Sequence, residues 1–315
     1  MPAESTDNDA KLAEKPIWVL TGPTAAGKSD FALQLAESEQ LEIVSMDSMA
    51  VYRQMDIGTA KPAAEACARV PHHLIDVVGP EEEFDTNLWC SAASAAVAEI
   101  RARGRQPLFV GGTPLYLMAF FKGMMQGPAA VPGLRERLHE EETANPGCLY
   151  QRLETVDPQA AQRIHRNDHK RQVRALEYFE ITGQAISEKR QQFESDEWRV
   201  PCRIAAIRRD REELKERVKA RTIAMLEAGL LKEVAAIDTT CGFSQTAGAA
   251  IGYAECLHHL RIGYKDQEEL RNRIRRNTHR LIRRQTTWLR RIPGVQWFDP
   301  TASVAKLSQR FKAES

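Results

Sequence analysis

Short apolar stretches alternate with amphipathic stretches along the first third of the chain, and this pattern predicts strands separated by helices. Apolar residues recur at helical spacing after residue 28 and again across 87–102. Strands that alternate with helices are typical of a parallel sheet with helices packed on its faces. A further strand is predicted well downstream. The five predicted strands are Ile17–Leu20, Leu41–Met46, His73–Val77, Pro107–Val110 and Arg203–Ile207.

Glycines and prolines concentrate between residues 123 and 133, and the pattern changes there. Residues 134–195 have helical spacing with little strand signal, whereas strand and helix patterns return after residue 200. The sequence therefore predicts an α/β fold in which a helical domain is inserted into a parallel-sheet core. The predicted parts are a polar, disordered tail over 1–15, a core made of 16–122 and 200–315 with C-terminal helices, and a helical insertion over 123–199.

Two long helical patterns occupy the second half of the chain, Arg211–Ile237 and Leu270–Arg290. In the second, Ile274, Leu281 and Trp288 recur at heptad spacing, which favours packing against neighbouring helices over base stacking. The small residues at 248–252 likewise favour close helix packing.

The totals exclude several classes of protein. Hydrophobic residues make up 43% and charged residues 28% of the 315 residues, which is ordinary for a globular protein. The six cysteines are scattered without a CxxC pair, which argues against a zinc site or a disulfide framework and fits a reducing cytoplasm. No apolar run reaches the length of a membrane span, and the polar start has no signal-peptide pattern. Because the net charge is only +1, an acidic partner has to be held by local patches.

The residues from 22 to 29 match the GxxxxGK[ST] phosphate-loop pattern, between a predicted strand and a predicted helix. The two glycines let the backbone turn its N–H groups toward an anion, the lysine adds a charge, and the hydroxyl can reach a metal ion. The following helix adds the positive end of its dipole. The pattern predicts a P-loop NTPase-like core and leaves the phosphate compound open. The loop consists of Gly22, Pro23, Thr24, Ala25, Ala26, Gly27, Lys28 and Ser29.

Polar residues follow two other predicted strands, at the sheet edge where ligands of open parallel sheets bind. Asp47 and Ser48 come after the second strand, and Thr113 comes after the fourth. Asp47 could act as a general base or hold Mg²⁺ through water, or it could only cap a local turn. The fourth strand ends in Gly-Gly-Thr where a phosphate-loop ATPase usually has an aspartate, which argues against an ATPase.

Two segments are rich in arginine. One runs from Arg163 to Arg174 in the predicted insertion, and the other runs from Arg271 to Arg291 in the C-terminal helix. A charged run is often a solvated helix face. Two such runs on a nearly neutral chain favour a nucleic-acid partner, because the guanidinium group binds phosphates and stacks on bases.

Taken together, the motifs resemble the tRNA dimethylallyltransferase family, the IPP transferases, from about Ile17 to Trp297. The matching segments appear in family order. They are the phosphate loop, Asp47-Ser48, the segments 51–52, 55–62, 72–76, 111–113 with 115–116, 156–158, 163–164, 167–168, 174–176 and 250–253, and Arg284-Gln285 with Trp288.

The resemblance implies a specific reaction. The phosphate loop would hold the diphosphate of dimethylallyl diphosphate with Mg²⁺ near Ser29, and N6 of the adenosine 3′-adjacent to the anticodon, A37, would attack the allylic carbon. Asp47 would be the general base, with Lys28 and Thr113 beside it, and Arg217 and Arg221 are candidates to complete the diphosphate pocket. The implied protein is a cytoplasmic monomer that binds the tRNA anticodon stem-loop and no membrane.

The resemblance also implies residues that contact tRNA. They fall at the strand ends, in the insertion and on the C-terminal helix. They are Asp47, Ser48, Met49, Ala50, Thr113, Arg135, Lys170, Arg171, Gln172, Val173, Arg174 and Arg284.

Three other functions remain open on the residues alone. A small-molecule or nucleoside kinase would use ATP at the same loop, but it gives no reason for two basic helices. An isopentenyltransferase acting on free adenine nucleotides would not need them either. A non-catalytic RNA-binding module leaves Lys28, Ser29 and Asp47 unexplained.

Overall fold

The structure is a computed structural model that describes residues 15–123, 131, 133–188, 198–301 and 303–313. Apart from Lys15, the predicted tail over 1–15 lies outside the described residues. The same holds for parts of the glycine- and proline-rich boundary near residue 128.

A six-stranded sheet forms the centre of the larger part of the chain, in the order β3-β2-β4-β1-β5-β6. Every neighbouring pair is parallel. The parallel sheet with its flanking helices confirms the predicted α/β, P-loop-like fold. The strands are β1 (Ile17–Thr21), β2 (Leu41–Ser45), β3 (His72–His73), β4 (Gln106–Val110), β5 (Cys202–Ile207) and β6 (Val295–Phe298).

Fourteen helices are assigned within the described ranges. The first four are α1 (Lys28–Glu39), α2 (Ala64–Arg69), α3 (Thr86–Ala102) and α4 (Pro114–Phe121). The next four are α5 (Leu134–Ala144), α6 (Cys148–Val156), α7 (Pro158–Arg163) and α8 (His169–Thr182). The last six are α9 (Arg211–Glu227), α10 (Leu230–Thr240), α11 (Gln245–Gly248), α12 (Tyr253–Arg261), α13 (Gln267–Leu289) and α14 (Val304–Lys312). None of the helices in the described part is both long and apolar enough to span a membrane.

The chain divides into two compact units. The helical unit is Lys122–Glu197 and the sheet unit is the remainder, whereas the sequence places the insertion at 123–199. In the sheet unit, Val200 N donates a hydrogen bond to Phe121 O across 3.1 Å, so the chain leaves that unit and returns to it at neighbouring points. The helical unit has its own apolar core, in which Leu138, Leu149 and Leu176 are fully buried.

The sheet has an apolar layer on each face, and β1 contributes alternate residues to the two layers. Ile17 and Val19 pack in the layer that contains Trp89. Trp18 and Leu20 pack in the other, where the Trp18 ring stacks on Phe311 with 4.9 Å between the ring centroids. Because β1 is buried throughout between β4 and β5, the loop that follows it is fixed by the most enclosed part of the sheet.

Three elements differ from the prediction. The strand expected at His73–Val77 ends at His73, because Leu74 and Asp76 take left-handed backbone conformations with φ of 63° and 56°. The helix expected over Arg211–Ile237 breaks at Gly229, where φ is 101°. The edge strand β6 has no counterpart among the predicted strands.

Candidate active site

The phosphate loop joins β1 to α1, as predicted. Gly27 caps α1 with a left-handed φ of 87°, and a Cβ there would lie 3.2 Å from Arg209 Nη2 and 3.4 Å from Arg217 Nη2. Glycine is therefore required both by the backbone turn and by two guanidinium groups that approach the loop closely.

Lys28 is partly buried within the loop. Its Nζ donates hydrogen bonds to Gly22 O at 3.1 Å and Pro23 O at 2.9 Å. Burial lowers the pKa of Lys28 to about 8, the charge of Asp47 opposes this shift, and Arg221 adds to it. The protonated form of Lys28 is therefore disfavoured in this site, and a bound anion would stabilise it.

Arginines surround the outside of the loop. Arg217 Nε donates to Ala25 O at 2.7 Å, and Arg209 Nε donates to Ala26 O at 2.6 Å. Arg221 Nη2 reaches Thr59 O at 3.3 Å, and burial lowers the pKa of its guanidinium despite the charge of Asp47. The structure thus brings the predicted Arg217 and Arg221 to the loop and adds Arg209, which sequence reasoning missed.

Asp47 and Thr113 meet at the ends of β2 and β4. Thr113 Oγ1 accepts a hydrogen bond from Ser48 N at 3.3 Å, and Thr113 N donates to Met46 O at 3.3 Å. Asp47 Oδ1 accepts from Met49 N at 2.9 Å, so the carboxylate does cap a turn. No helix is assigned at residues 47–50 of the described chain, and Asp47 also lines a cavity, so turn capping does not use up the carboxylate.

That cavity has a volume of about 330 Å³. Thr24, Asp47 and Thr113 line its sheet side. Helices α9 and α13 line the opposite side with charged, polar and apolar groups. The wall residues from these helices include Val218, Arg221, Met225, Leu281, Arg284 and Gln285. Cationic side chains, a carboxylate and an apolar wall therefore line the same cavity, which is partly open to solvent.

The heptad stripe of α13 faces this cavity. Ile274, Leu281 and Trp288 all line it, and 41% of Trp288 is exposed. Their interpretation as helix packing alone was incomplete, because one helix face both packs at its buried end and forms the cavity wall. The small-residue loop also reaches the cavity, through Ala250 and Ile251.

Gln285 connects α13 to both strand-end loops. Its Oε1 accepts from Thr24 N at 2.9 Å, and its Nε2 donates to Gly112 O at 2.7 Å. A Cβ on Gly112 would lie 2.7 Å from Gln285 Nε2, so a larger residue here would have to displace the Gln285 amide. Only the family motif at Arg284-Gln285 could have indicated this residue, since nothing local in the sequence predicts the bridge.

A carboxylate and a phenol hold the loop that carries Thr59. Glu233 Oε2 accepts from Asp56 N at 3.1 Å and from Ile57 N at 2.9 Å, and Glu233 Oε1 accepts from Tyr253 Oη–H at 2.5 Å. The Tyr253 hydroxyl in turn accepts from Gly58 N at 3.2 Å. Three consecutive amides are thus fixed, and the Thr59 carbonyl that binds Arg221 is held with them.

The helical unit presents part of its predicted tRNA-contact segment. Lys170 and Arg171 are exposed, and Arg171 Nη1 pairs with Asp168 at 2.8 Å. Gln172 and Val173 are buried, and Gln172 Nε2 donates to Arg166 O at 2.9 Å, so their side chains do not form part of the exposed surface of this segment. In the sheet unit Ala50 is only 7% exposed, so its side chain does not reach outward either.

The described residues contain no group of three or more His, Cys, Asp or Glu that could hold a metal ion. Ser29 stands in the first turn of α1, directly after Lys28. One hydroxyl is a minimal protein ligand set, and this fits an ion such as Mg²⁺ that takes most of its ligands from water and a bound phosphate.

The fold and the cavity define a phosphate-loop protein in which a carboxylate, Asp47, and an apolar wall lie beside the phosphate loop. Comparison with known proteins gives its family. The family model described as IPP transferase matches residues 50–292, and a second model, isopentenyl transferase, matches residues 15–74. The chain belongs to the IPP transferase family, which confirms the resemblance drawn from its motifs.

Individual relatives agree over nearly the whole chain. A tRNA dimethylallyltransferase from Desulfotalea psychrophila is 41% identical over 286 residues, covering 90% of this chain and 91% of the relative. The solved structure of a full-length tRNA isopentenylpyrophosphate transferase from Bacillus halodurans has a TM-score of 0.68 at 32% identity, covering 95% and 97% of the two chains. A eukaryotic dimethylallyltransferase solved acting on tRNA has a TM-score of 0.76 at 27% identity, covering 94% of this chain and 75% of its own.

Proposed function

We propose that this protein transfers the dimethylallyl group of dimethylallyl diphosphate to N6 of A37 in tRNA and releases diphosphate. The observation that carries the proposal is the cavity in which a phosphate loop, a strand-end carboxylate and an apolar wall meet. The names of its relatives supply the acceptor, since those proteins are tRNA dimethylallyltransferases.

The diphosphate is proposed to bind at the loop of residues 22–29. Backbone amides of the loop and the first turn of α1 point donors at the anion, and Lys28 adds a positive charge that burial makes costly without an anion beside it. Arg221, on the cavity wall, and Arg217, which donates to the loop from α9, would counter the remaining charge. The apolar side chains of Val218, Met225 and Leu281 would surround the prenyl tail.

Ser29 is the residue proposed to hold Mg²⁺. The ion would supply charge neutralisation on the leaving diphosphate. Lys28, Arg217 and Arg221 would bind and orient the diphosphate whether or not the ion is present.

In the proposed transfer, the bond from N6 to the allylic C1 forms while the bond from C1 to the diphosphate oxygen breaks, and the diphosphate leaves with that electron pair. The proton of the exocyclic amine passes to the Asp47 carboxylate. Thr113, which is bonded to Ser48 N beside Asp47, would orient the amine. Met49 N holds Asp47 Oδ1, which directs the second carboxylate oxygen for proton transfer.

The helical unit, Lys122–Glu197, is proposed to grip the anticodon stem-loop through Arg135, Lys170, Arg171 and Arg174. Arg284, at the cavity, would contact the RNA near the target base, which has to leave its stack to enter. The protein is proposed to act as a monomer, because the residues proposed for the reaction all come from one chain. A cytoplasmic location is proposed from its scattered cysteines, which fit a reducing compartment.

A transfer assay tests the proposal. The purified protein is incubated with Mg²⁺, radiolabelled dimethylallyl diphosphate and unmodified tRNA, with AMP and ADP in parallel reactions. Label in tRNA alone is expected, and a tRNA with A37 replaced by guanosine is the matched control that stays unlabelled. Label in AMP or ADP alone, or ATP-dependent phosphorylation of a small acceptor, would overturn the proposal.

A further inference from the structure

A fully buried carboxylate in the helical unit binds two arginines from different helices. The side chain of Glu177, on α8, is 0% exposed. Arg135, on α5, donates from Nε to Oε1 at 2.7 Å and from Nη2 to Oε2 at 3.1 Å. Arg174, one turn earlier on α8, donates from Nη1 to Oε2 at 2.6 Å. The contact ties α5 to α8 and fixes both guanidinium groups.

The two arginines nevertheless reach the surface. The side chain of Arg135 is 51% exposed and that of Arg174 is 37% exposed. The hydrogen bonds from both arginines hold the pKa of Glu177 below its usual range, against the opposing effect of burial. A carboxylate inside the unit therefore orients two cationic forks whose outer parts face solvent.

We propose that Glu177 is a positioning residue for RNA, which fixes Arg135 and Arg174 as a pair that binds backbone phosphates. The inference rests on the proposed function, because it takes tRNA as the substrate. A guanidinium that is already oriented loses little side-chain freedom when it meets a phosphate, and its charge-assisted hydrogen bonds are strong. Glu177 itself never touches the RNA.

A neighbouring carboxylate provides a matched control. Glu180, three residues later on α8, pairs with Arg137 and Arg152. Glu141 pairs with the same two arginines, at 2.6 Å and 3.4 Å. Glu180→Gln therefore makes the same chemical change as Glu177→Gln, on the same helix, while its arginines keep a second carboxylate.

The two substitutions distinguish a loss of negative charge from a loss of arginine positioning, because these two changes shift tRNA affinity in opposite directions. Each removes a negative charge from the helical unit, and by charge alone each would tighten the binding of RNA. If Arg135 and Arg174 lose their fixed orientation, tRNA binding is expected to weaken instead. We expect Glu177→Gln to weaken tRNA binding by about 5- to 10-fold and Glu180→Gln to leave it unchanged or slightly tighter.

The experiment measures tRNA dissociation constants of the full-length protein by fluorescence anisotropy at several salt concentrations. Glu177→Gln is made in the wild type and in an Arg135→Ala/Arg174→Ala background. If Glu177 acts through the arginines, its substitution adds no further loss in that background, whereas a purely structural role would persist. Arg135→Lys with Arg174→Lys is the second test, since lysine keeps the charge but cannot form the forked contact, and it is expected to weaken binding by a similar factor.

Equal tRNA affinities for Glu177→Gln and Glu180→Gln would overturn the inference while leaving the proposed function intact. An unaffected affinity for the lysine double variant would overturn it too, and this test remains usable if Glu177→Gln fails to fold. Absence of tRNA binding by the wild-type protein would overturn the proposed function and the inference together. Dimethylallyl diphosphate KM is measured alongside and is expected to stay constant in every variant.

Discussion

Lys28 is a partly buried lysine inside the phosphate loop. The carbonyls of Gly22 and Pro23 and the charge of Asp47 stabilise its protonated form, whereas burial opposes it. Its pKa of about 8 lies close to the pH at which the protein is expected to work. The charge proposed to bind diphosphate is therefore titratable under ordinary conditions.

The first prediction concerns pH. Because the pKa of Lys28 is lowered to about 8, the free enzyme loses this positive charge as pH rises through that value, and kcat/KM for dimethylallyl diphosphate is expected to fall there. The fall should approach tenfold per pH unit at higher pH. A pH profile of kcat/KM at saturating tRNA measures it. Lys28→Arg keeps its charge across this range, so the fall near pH 8 is expected to disappear; if it persists, another group is titrating.

The second prediction separates two roles of Asp47. In Asp47→Asn the amide oxygen can still accept from Met49 N, so the turn is kept while the proton acceptor is removed. The single-turnover rate is expected to fall by about 10²- to 10⁴-fold, as for the loss of a general base. The tRNA dissociation constant should change by no more than a few-fold. If Asp47→Asn has the wild-type rate while Asp47→Ala has a reduced rate, Asp47 caps the turn and is not the general base.

Helix α13 completes the site, although it is distant in sequence from the phosphate loop. Thr24 and Gln285 are 261 positions apart, and one side-chain amide connects the helix to the phosphate loop and to Gly112. Helix α13 and the phosphate loop are therefore tied together, and displacement of either is resisted by one partly buried and one buried hydrogen bond.

The third prediction tests this bridge. Gln285→Ala removes both hydrogen bonds and leaves Thr24 N and Gly112 O without that partner, so we expect dimethylallyl diphosphate KM to rise about tenfold and the melting temperature to drop by several degrees. Steady-state kinetics and thermal unfolding measure the two effects. Thr287→Ala, at an exposed position of the same helix, is the control. A lower melting temperature with unchanged KM would make Gln285 a stability residue only.

Sequence reasoning succeeded for elements whose signal is local. The strands β1, β2, β4 and β5 are short apolar runs, and the phosphate loop is a contiguous motif. The strand β3 was overextended, because a left-handed turn at Leu74 is not encoded by hydrophobicity, and β6 was missed at the sheet edge. Apart from the predicted Arg221 and Arg284, the cavity wall from Val218 to Gln285 could not be predicted, since it depends on how remote helices pack.

At the scale of the whole molecule, we propose that the reaction and the contacts around the target base belong to the sheet unit, and that the helical unit binds the remainder of the RNA. Dimethylallyl diphosphate and the reacting base are proposed to occupy the sheet unit, while the helical unit carries its own core and its own surface arginines. Variants of the two units should therefore affect different kinetic constants.

The fourth prediction follows from this division. Arg171→Ala with Arg174→Ala removes two cations from the surface of the helical unit, so tRNA affinity should decrease and the salt slope of log K should flatten by about one for each phosphate that is no longer neutralised. Dimethylallyl diphosphate KM should stay constant. Binding titrations from low to moderate salt measure the slope, with Arg137→Ala as a control in the same unit. An unchanged slope would remove this segment from the phosphate-binding surface.

The hydrogen bond between Val200 and Phe121 has a consequence for how such a chain can be assembled and altered. A segment whose two ends are neighbours closes at a cost that grows by only about 0.6 kcal/mol for each doubling of its length. The stretch Lys122–Glu197 can therefore lengthen, shorten or fold at its own pace while β5 still aligns beside β1. Natural variation in the RNA preference proposed for that stretch is free to accumulate there, while the residues at the edge of the sheet remain unchanged.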